Sequence, residues 1–259
     1  VYSGLTSAAA VKTIAEALSK SGNRDTLELA AGTYSGSDNR NLNMNGLTRI
    51  IRTASGPVST IIDCENQGSA FVFNSAEPDS VHISGLTIVN GSDANGGAVS
   101  ISGSDPVFEN MIFRDNSSDG NGGAVRLYCG SLYFNRSKLT NITVSRGDFG
   151  YVNGAAIHIG DCYSTDVKLI NTILADNLVS YSGSEGSPPS GGAITSFATG
   201  GDVQLINSTV VNNQIYTTSS NTFGGSAIYD DDWNSNGDSP HLTIFNSIIH
   251  GNSIVTNAG

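Results

Sequence analysis

Apolar and polar positions recur along the chain in two interleaved segments. The first pairs two small residues with an alanine and an apolar residue: Gly68-Ser69-Ala70-Phe71, Gly96-Gly97-Ala98-Val99, Gly122-Gly123-Ala124-Val125, Gly154-Ala155-Ala156-Ile157, Gly191-Gly192-Ala193-Ile194 and Gly224-Gly225-Ser226-Ala227-Ile228. Alternation continues at Val99/Ile101, Val125/Leu127 and Ile157/Ile159, the period of a strand with one face turned inward. The second segment follows each copy and stacks Gly85, Asn110, Asn141, Asn171, Asn207 and Asn246 in one column. Two positions before that column stand Ile83, Phe108, Leu139, Leu169, Leu205 and Ile244, and three after it Ile88, Phe113, Val144, Leu174, Val210 and Ile249. Both flanking columns are wholly apolar.

Successive copies of the small-residue motif lie 28, 26, 32, 37 and 34 residues apart. A unit of that length carries three short strands, none long enough to bury its own apolar side, so it is stable only when stacked on a neighbour. The pattern predicts an all-β parallel solenoid of about seven coils, a column on the order of 35 Å long at the usual strand spacing. Asparagine suits a sharp corner because it tolerates the left-handed region and its amide can bond the amides above and below. Asn110, Asn141, Asn171, Asn207 and Asn246 are therefore the expected structural ladder. Before the repeats, Thr6 or Ser7 can cap a helix with apolar face Val11, Ile14 and Leu18 that stops at Gly22. This sets a capping segment at 1–25 and a repeat domain at 26–259, with further repeats or a filament partner expected to continue the stack at its C-terminal end.

Leu29-Ala30-Ala31-Gly32-Thr33-Tyr34 resembles the opening coil of right-handed parallel β-helices of the pectate-lyase-like superfamily. The small-small-Ala-aliphatic copies, with Phe113-Arg114-Asp115-Asn116, are similar to the GGA(I/L/V) and FxxN repeats of the polymorphic membrane proteins, a family of outer-membrane surface adhesins. The resemblance implies right-handed coiling, export, and an adhesive or structural role at a cell surface. The same architecture also carries lyases, hydrolases and epimerases, so it speaks for the fold more than for an activity.

Charge narrows the partners. Twelve Lys and Arg against 23 Asp and Glu give a formal charge of −11, which leaves no basic surface for nucleic acid. No apolar run is long enough for a transmembrane helix, and the N-terminus lacks the pattern of a signal peptide. Three cysteines are too few for a disulfide scaffold and lack zinc spacing. Cys129 and Cys162 fall at nearly equivalent positions of successive coils, where they form either a bond between coils, if the protein is exported, or two small buried thiols.

If the chain were a polysaccharide-cleaving member, the resemblance implies a site on the outer face of the Gly-Gly-Ala strand. The first outward column there reads Val72, Ser100, Arg126, His158, Thr195 and Tyr229; the second reads Asn74, Ser102, Tyr128, Gly160, Phe197 and Asp231. Neither holds the clustered carboxylates of a calcium-dependent lyase or the carboxylate pair of a glycosidase. Arg126, His158 and Asp231 are the candidate catalytic residues for that alternative. Asp230, Asp231 and Asp232 are candidate calcium ligands, though the spacing is not that of an EF-hand and a solvated acidic loop is the plainer reading. Tyr128, Phe197, Tyr229 and Trp233 are candidate sugar-stacking rings. Asp115, Arg146 and Asp176 are read as one exposed ion-pair column. The expected function is a non-enzymatic extracellular or cell-surface module that presents loops 178–190, 214–223 and 230–240 to a glycan or protein partner; the alternative is a carbohydrate-active enzyme.

Overall fold

The structure is a computed structural model of the 259-residue chain and describes residues 6, 9–146, 152–160, 162, 165–183, 189–197, 200–218, 224–231 and 241–256. The described residues are mostly β, with one short α-helix and one 3-10 turn at Ser37–Asn39, and their strands form three stacked sheets of thirteen, eight and five strands. Every strand ladder is parallel. In the eight-stranded sheet the order runs without reversal from Gly32–Tyr34 through Thr60–Asp63, Thr87–Val89, Ile112–Arg114, Lys138–Thr140, Ile173–Ala175 and Thr209–Val211 to Ile248–His250. Each repeat thus adds one strand to the eight-stranded sheet, one or two to the thirteen-stranded sheet and, from Ser117 onward, one to the five-stranded sheet, an arrangement compatible with a parallel β-helix. Eight strands stack where about seven coils were predicted.

Local chemistry explains each circuit. The six small-residue motifs stack in register, Phe71 on Val99, Val125, Ile157, Ile194 and Ile228 in turn. A Cβ at Gly97 would run into the carbonyl oxygens of Ser117 and Gly123, so this turn has no room for a larger residue. Alternate residues then turn inward and form one continuous core containing Phe71, Phe73, Phe108, Phe113 and Phe134, with Phe108 and Phe134 stacked at 5.2 Å between ring centroids.

Two corners join the sheets, and each begins with a left-handed residue facing solvent, followed by an inward residue that is polar except for Met111 at the first corner and Ile142 at the second. At the first corner the left-handed residues are Asn110 (φ 52°), Arg136 (51°), Asn171 (50°), Asn207 (51°) and Asn246 (46°). At the second they are Asp115 (58°), Asn141 (54°), Asp176 (58°), Asn212 (55°) and Gly251 (66°). Asn141 therefore does not belong to the predicted ladder, and Arg136 takes its place. Backbone pairing settles the register: Asn110 N–H donates to Asn135 O, Arg136 N–H to Ile170 O and Asn171 N–H to Ile206 O. The same correction separates Arg146, which pairs with Tyr181, from Asp115 and Asp176. Glu109 instead accepts from Arg136 and faces His82 at 3.3 Å.

The helix spans Ile14–Lys20, shorter than expected, because Thr13 rather than Thr6 caps it; Thr13 Oγ1 accepts from Glu16 N–H at 3.2 Å. Ser7 lies outside the described residues, and Val11 precedes the helix. Ile14 and Leu18 are buried against the core that begins at Leu27 and Leu29. Buried Arg49 locks the helix in place, donating to Met44 O and Ser21 O at 2.8 Å and to Leu18 O at 3.2 Å. Burial pulls its guanidinium below the usual arginine range while Asp25 opposes the shift. At the far end, inward-facing Leu242, Ile244, Ile249 and Ile254 are 38–44% exposed, whereas Val203, Leu205, Val210 and Ile215 one strand earlier are at most 1% exposed. Among the described residues no helix is long and apolar enough to cross a membrane.

Candidate ligand-binding face

The two outward columns of the Gly-Gly-Ala strands fall on one face as the sequence places them. Arg126 pairs with Ser100 on one side and His158 on the other, and His158 then pairs with Thr195 and Thr195 with Tyr229. Aromatic side chains cluster there. His158 meets Phe197 edge-on at 5.8 Å, and Phe197 meets Tyr229 at 6.0 Å. Tyr128 is 44% exposed, with the Arg126 guanidinium 5.6 Å from its ring centroid. Arg126 also donates to Asn95 Oδ1 at 3.0 Å, and no carboxylate pairs with it among the described residues.

The three candidate catalytic residues are not brought together. His158 is buried rather than solvated, 4% exposed, with no partner on Nδ1. Burial, and then the nearby charge of Arg126, pull its pKa down to about 3, so the imidazole is neutral at physiological pH. Asp231 lies three strands along the stack from Arg126 and accepts from the Tyr229 hydroxyl at 3.0 Å. That phenol is pushed up to about 12, by burial first and by Asp231 next. Asp231 is the only carboxylate in the two columns.

The acidic triplet divides between faces. Asp230 stands at the inward position that Ile159 and Ser196 occupy in the preceding strands, and Asp231 follows on the outward side. Asp232 and Trp233 lie outside the described residues. No group of three metal-ligating side chains occurs among the described residues. Cys129 and Cys162 are joined by a disulfide with Cα atoms 5.3 Å apart, while buried Cys64 is free, its thiol pushed up to about 12 by burial.

Two of the expected loops begin as strand. Leu178–Tyr181 and Gln214–Thr217 belong to the five-stranded sheet, since Val179, Tyr181, Ile215 and Thr217 alternate inward. The third begins at Asp230, the last residue of Ile228–Asp230. Residues 184–188, 219–223 and 232–240 lie outside the described set.

A buried polar network beneath the face escaped the sequence reading. Ser190 Oγ donates to Asn153 Oδ1 at 2.8 Å, and Thr195 Oγ1 to Ser190 O at 2.9 Å. The available signal was position: Asn153 and Ser190 both immediately precede the glycine that opens the motif. No family model, no curated protein and no solved structure matches the chain.

Proposed function

We propose that the chain is a right-handed parallel β-helix of the pectate-lyase-like kind, acting as a non-enzymatic extracellular or cell-surface module that contacts glycans through the face bearing Tyr128, Phe197 and Tyr229. The observation that carries this reading is the chemistry of the face: three rings turned outward beside an arginine, with a single carboxylate among twelve outward positions. Rings of this kind bind sugars by stacking on their apolar faces while a few polar groups fix orientation. Cleaving a glycosidic bond ordinarily needs two carboxylates across it. Export agrees with the disulfide between successive repeats, a bond that persists in oxidising compartments.

A panel of extracellular polysaccharides tests this, with and without calcium, recording both binding and the release of reducing or unsaturated ends. Retention without release, unchanged by a chelator, is the expected result. Release of ends overturns the non-enzymatic reading; absence of any retention overturns the glycan contact.

A further inference from the structure

We propose that the Cys129–Cys162 disulfide is the device that sets Tyr128 as the anchor of this face, an inference that rests on reading the face as a glycan contact. Tyr128 is the exposed ring of the three, with Phe197 and Tyr229 half-buried. Three features confine it. Beneath the ring lies Gly160, where an added Cβ would come within 3.0 Å of Tyr128 Cδ2, so the missing side chain lets the ring lie across the neighbouring coil. Beside it stands the Arg126 guanidinium, itself held by Asn95.

The third constraint is covalent. Directly after Tyr128 the backbone turns through positive φ at Cys129 (60°) and Gly130 (101°). In the preceding coil Ser102 pairs with Tyr128 and Ser104 with Gly130, which puts Gly103 (φ 63°) opposite Cys129. Glycine makes that turn freely, whereas a cysteine there adopts a conformation that L-residues disfavour. The bond to Cys162 holds the turn against the next coil, 5.3 Å away between Cα atoms. A ring fixed before its ligand arrives loses less freedom on binding, which is what an anchor requires.

Fluorine NMR of the 3-fluorotyrosine-labelled chain tests the positioning without a ligand, with Tyr128 assigned through Tyr128→Phe. The oxidised protein should give one narrow Tyr128 resonance that Cys162→Ser and Cys129→Gly both shift or broaden, while circular dichroism retains the strand signal. Cys129→Gly supplies a residue suited to the turn, so an unchanged Tyr128 resonance in that variant overturns the tether. Reducing the bond in the already folded native chain should shift or broaden the same resonance, which covers the case in which the cysteine variants fail to fold; an unchanged resonance there also overturns the tether.

Against a polysaccharide the native chain binds, Tyr128→Ala should weaken affinity about tenfold or more and Phe197→Ala less, with Cys162→Ser approaching the Tyr128→Ala value. Equal affinity of Cys162→Ser and the native chain overturns the proposal. A panel with no bound polysaccharide sinks the glycan reading instead, and the resonance alone then decides whether the disulfide positions Tyr128.

Discussion

The two corners of the repeat use the same residue for opposite purposes. At the first, Asn110, Asn171, Asn207 and Asn246 are exposed and supply a left-handed backbone; only Asn246 and Asn207 share a close amide bond, at 2.7 Å. The next position turns inward and is a hydroxyl at Ser137, Thr172, Ser208 and Ser247 but Met111 after Asn110; Ser137 accepts from Met111 N–H and Ser208 from Thr172 N–H, each at 3.2 Å. At the second corner the inward position is itself asparagine in four repeats, Asn116, Asn177, Asn213 and Asn252, and Ile142 in the fifth. Asn213 Oδ1 accepts from the backbone and side chain of Asn177 at 3.2 and 2.7 Å, while its Nδ2 donates to Leu174 O and Asn252 Oδ1 at 3.0 and 2.9 Å. An asparagine facing water competes with solvent for every bond, but a buried one completes the bonding of backbone groups that have no other partner. The second column holds the stack together; the first bends it.

Asn213→Ala is the hardest test of that contrast. It leaves the buried Asn177 N–H without its acceptor and removes the side-chain bonds to Asn177 Nδ2, Leu174 O and Asn252 Oδ1, and should cost about 2–4 kcal/mol, read as a lowered denaturation midpoint. A loss within about 0.5 kcal/mol, the range of a neutral surface substitution, would show that the buried amides are packing filler.

Acid separates this ladder from the only buried histidine among the described residues. Amides do not titrate, so the deficit of Asn213→Ala should be constant with pH. His158 behaves differently: its folded pKa of about 3 lies below the unfolded value near 6.5, so the unfolded chain binds the extra proton across that window. Its contribution is complete above about pH 6.5 and shrinks as pH falls toward 3, amounting to about 2–3 kcal/mol lost by pH 4.5. His158→Phe should flatten that limb in urea unfolding at pH 7, 5.5 and 4.5; an unaltered slope would mean the acid sensitivity comes from the carboxylates.

The same contrast explains what could be read without coordinates. The apolar columns at Phe108, Leu169 and Leu205 and the alternation after each small-residue motif report burial directly, and they place the strands correctly. The segment from Lys138 misled because Phe134/Leu139 and Leu139/Val144 are both apolar pairs five apart, one spanning each corner. Distance from the small-residue motif does not decide between them, since that interval runs from 12 residues (Asn110 after Ala98) to 19 (Asn246 after Ala227). Arginine carries no expectation of a left-handed corner, whereas the asparagine five residues later does. The outward face was legible as a pair of columns, but the burial of His158 was not, since strand period gives direction and says nothing of what packs over it.

The smallest effects give the sharpest test of the first corner, because a purely conformational role predicts their signs. Arg136 adopts φ 51° with a Cβ that disfavours it, and its bond to Glu109 is exposed on the arginine side and worth little. Arg136→Gly should therefore stabilise the chain by about 0.5 kcal/mol despite losing the ion pair. At Asn207 (φ 51°) the existing residue already suits the turn, so Asn207→Gly should fall within about 0.5 kcal/mol of zero. Urea midpoints of the two variants measured side by side decide the matter. If Asn207→Gly loses as much as Asn213→Ala, the exposed amide bond from Asn246 is a true ladder rung and the division of labour between the corners fails. If Arg136→Gly destabilises while Asn207→Gly does not, the ion pair with Glu109 outweighs the strain at that one coil, and the conformational account holds only where asparagine stands.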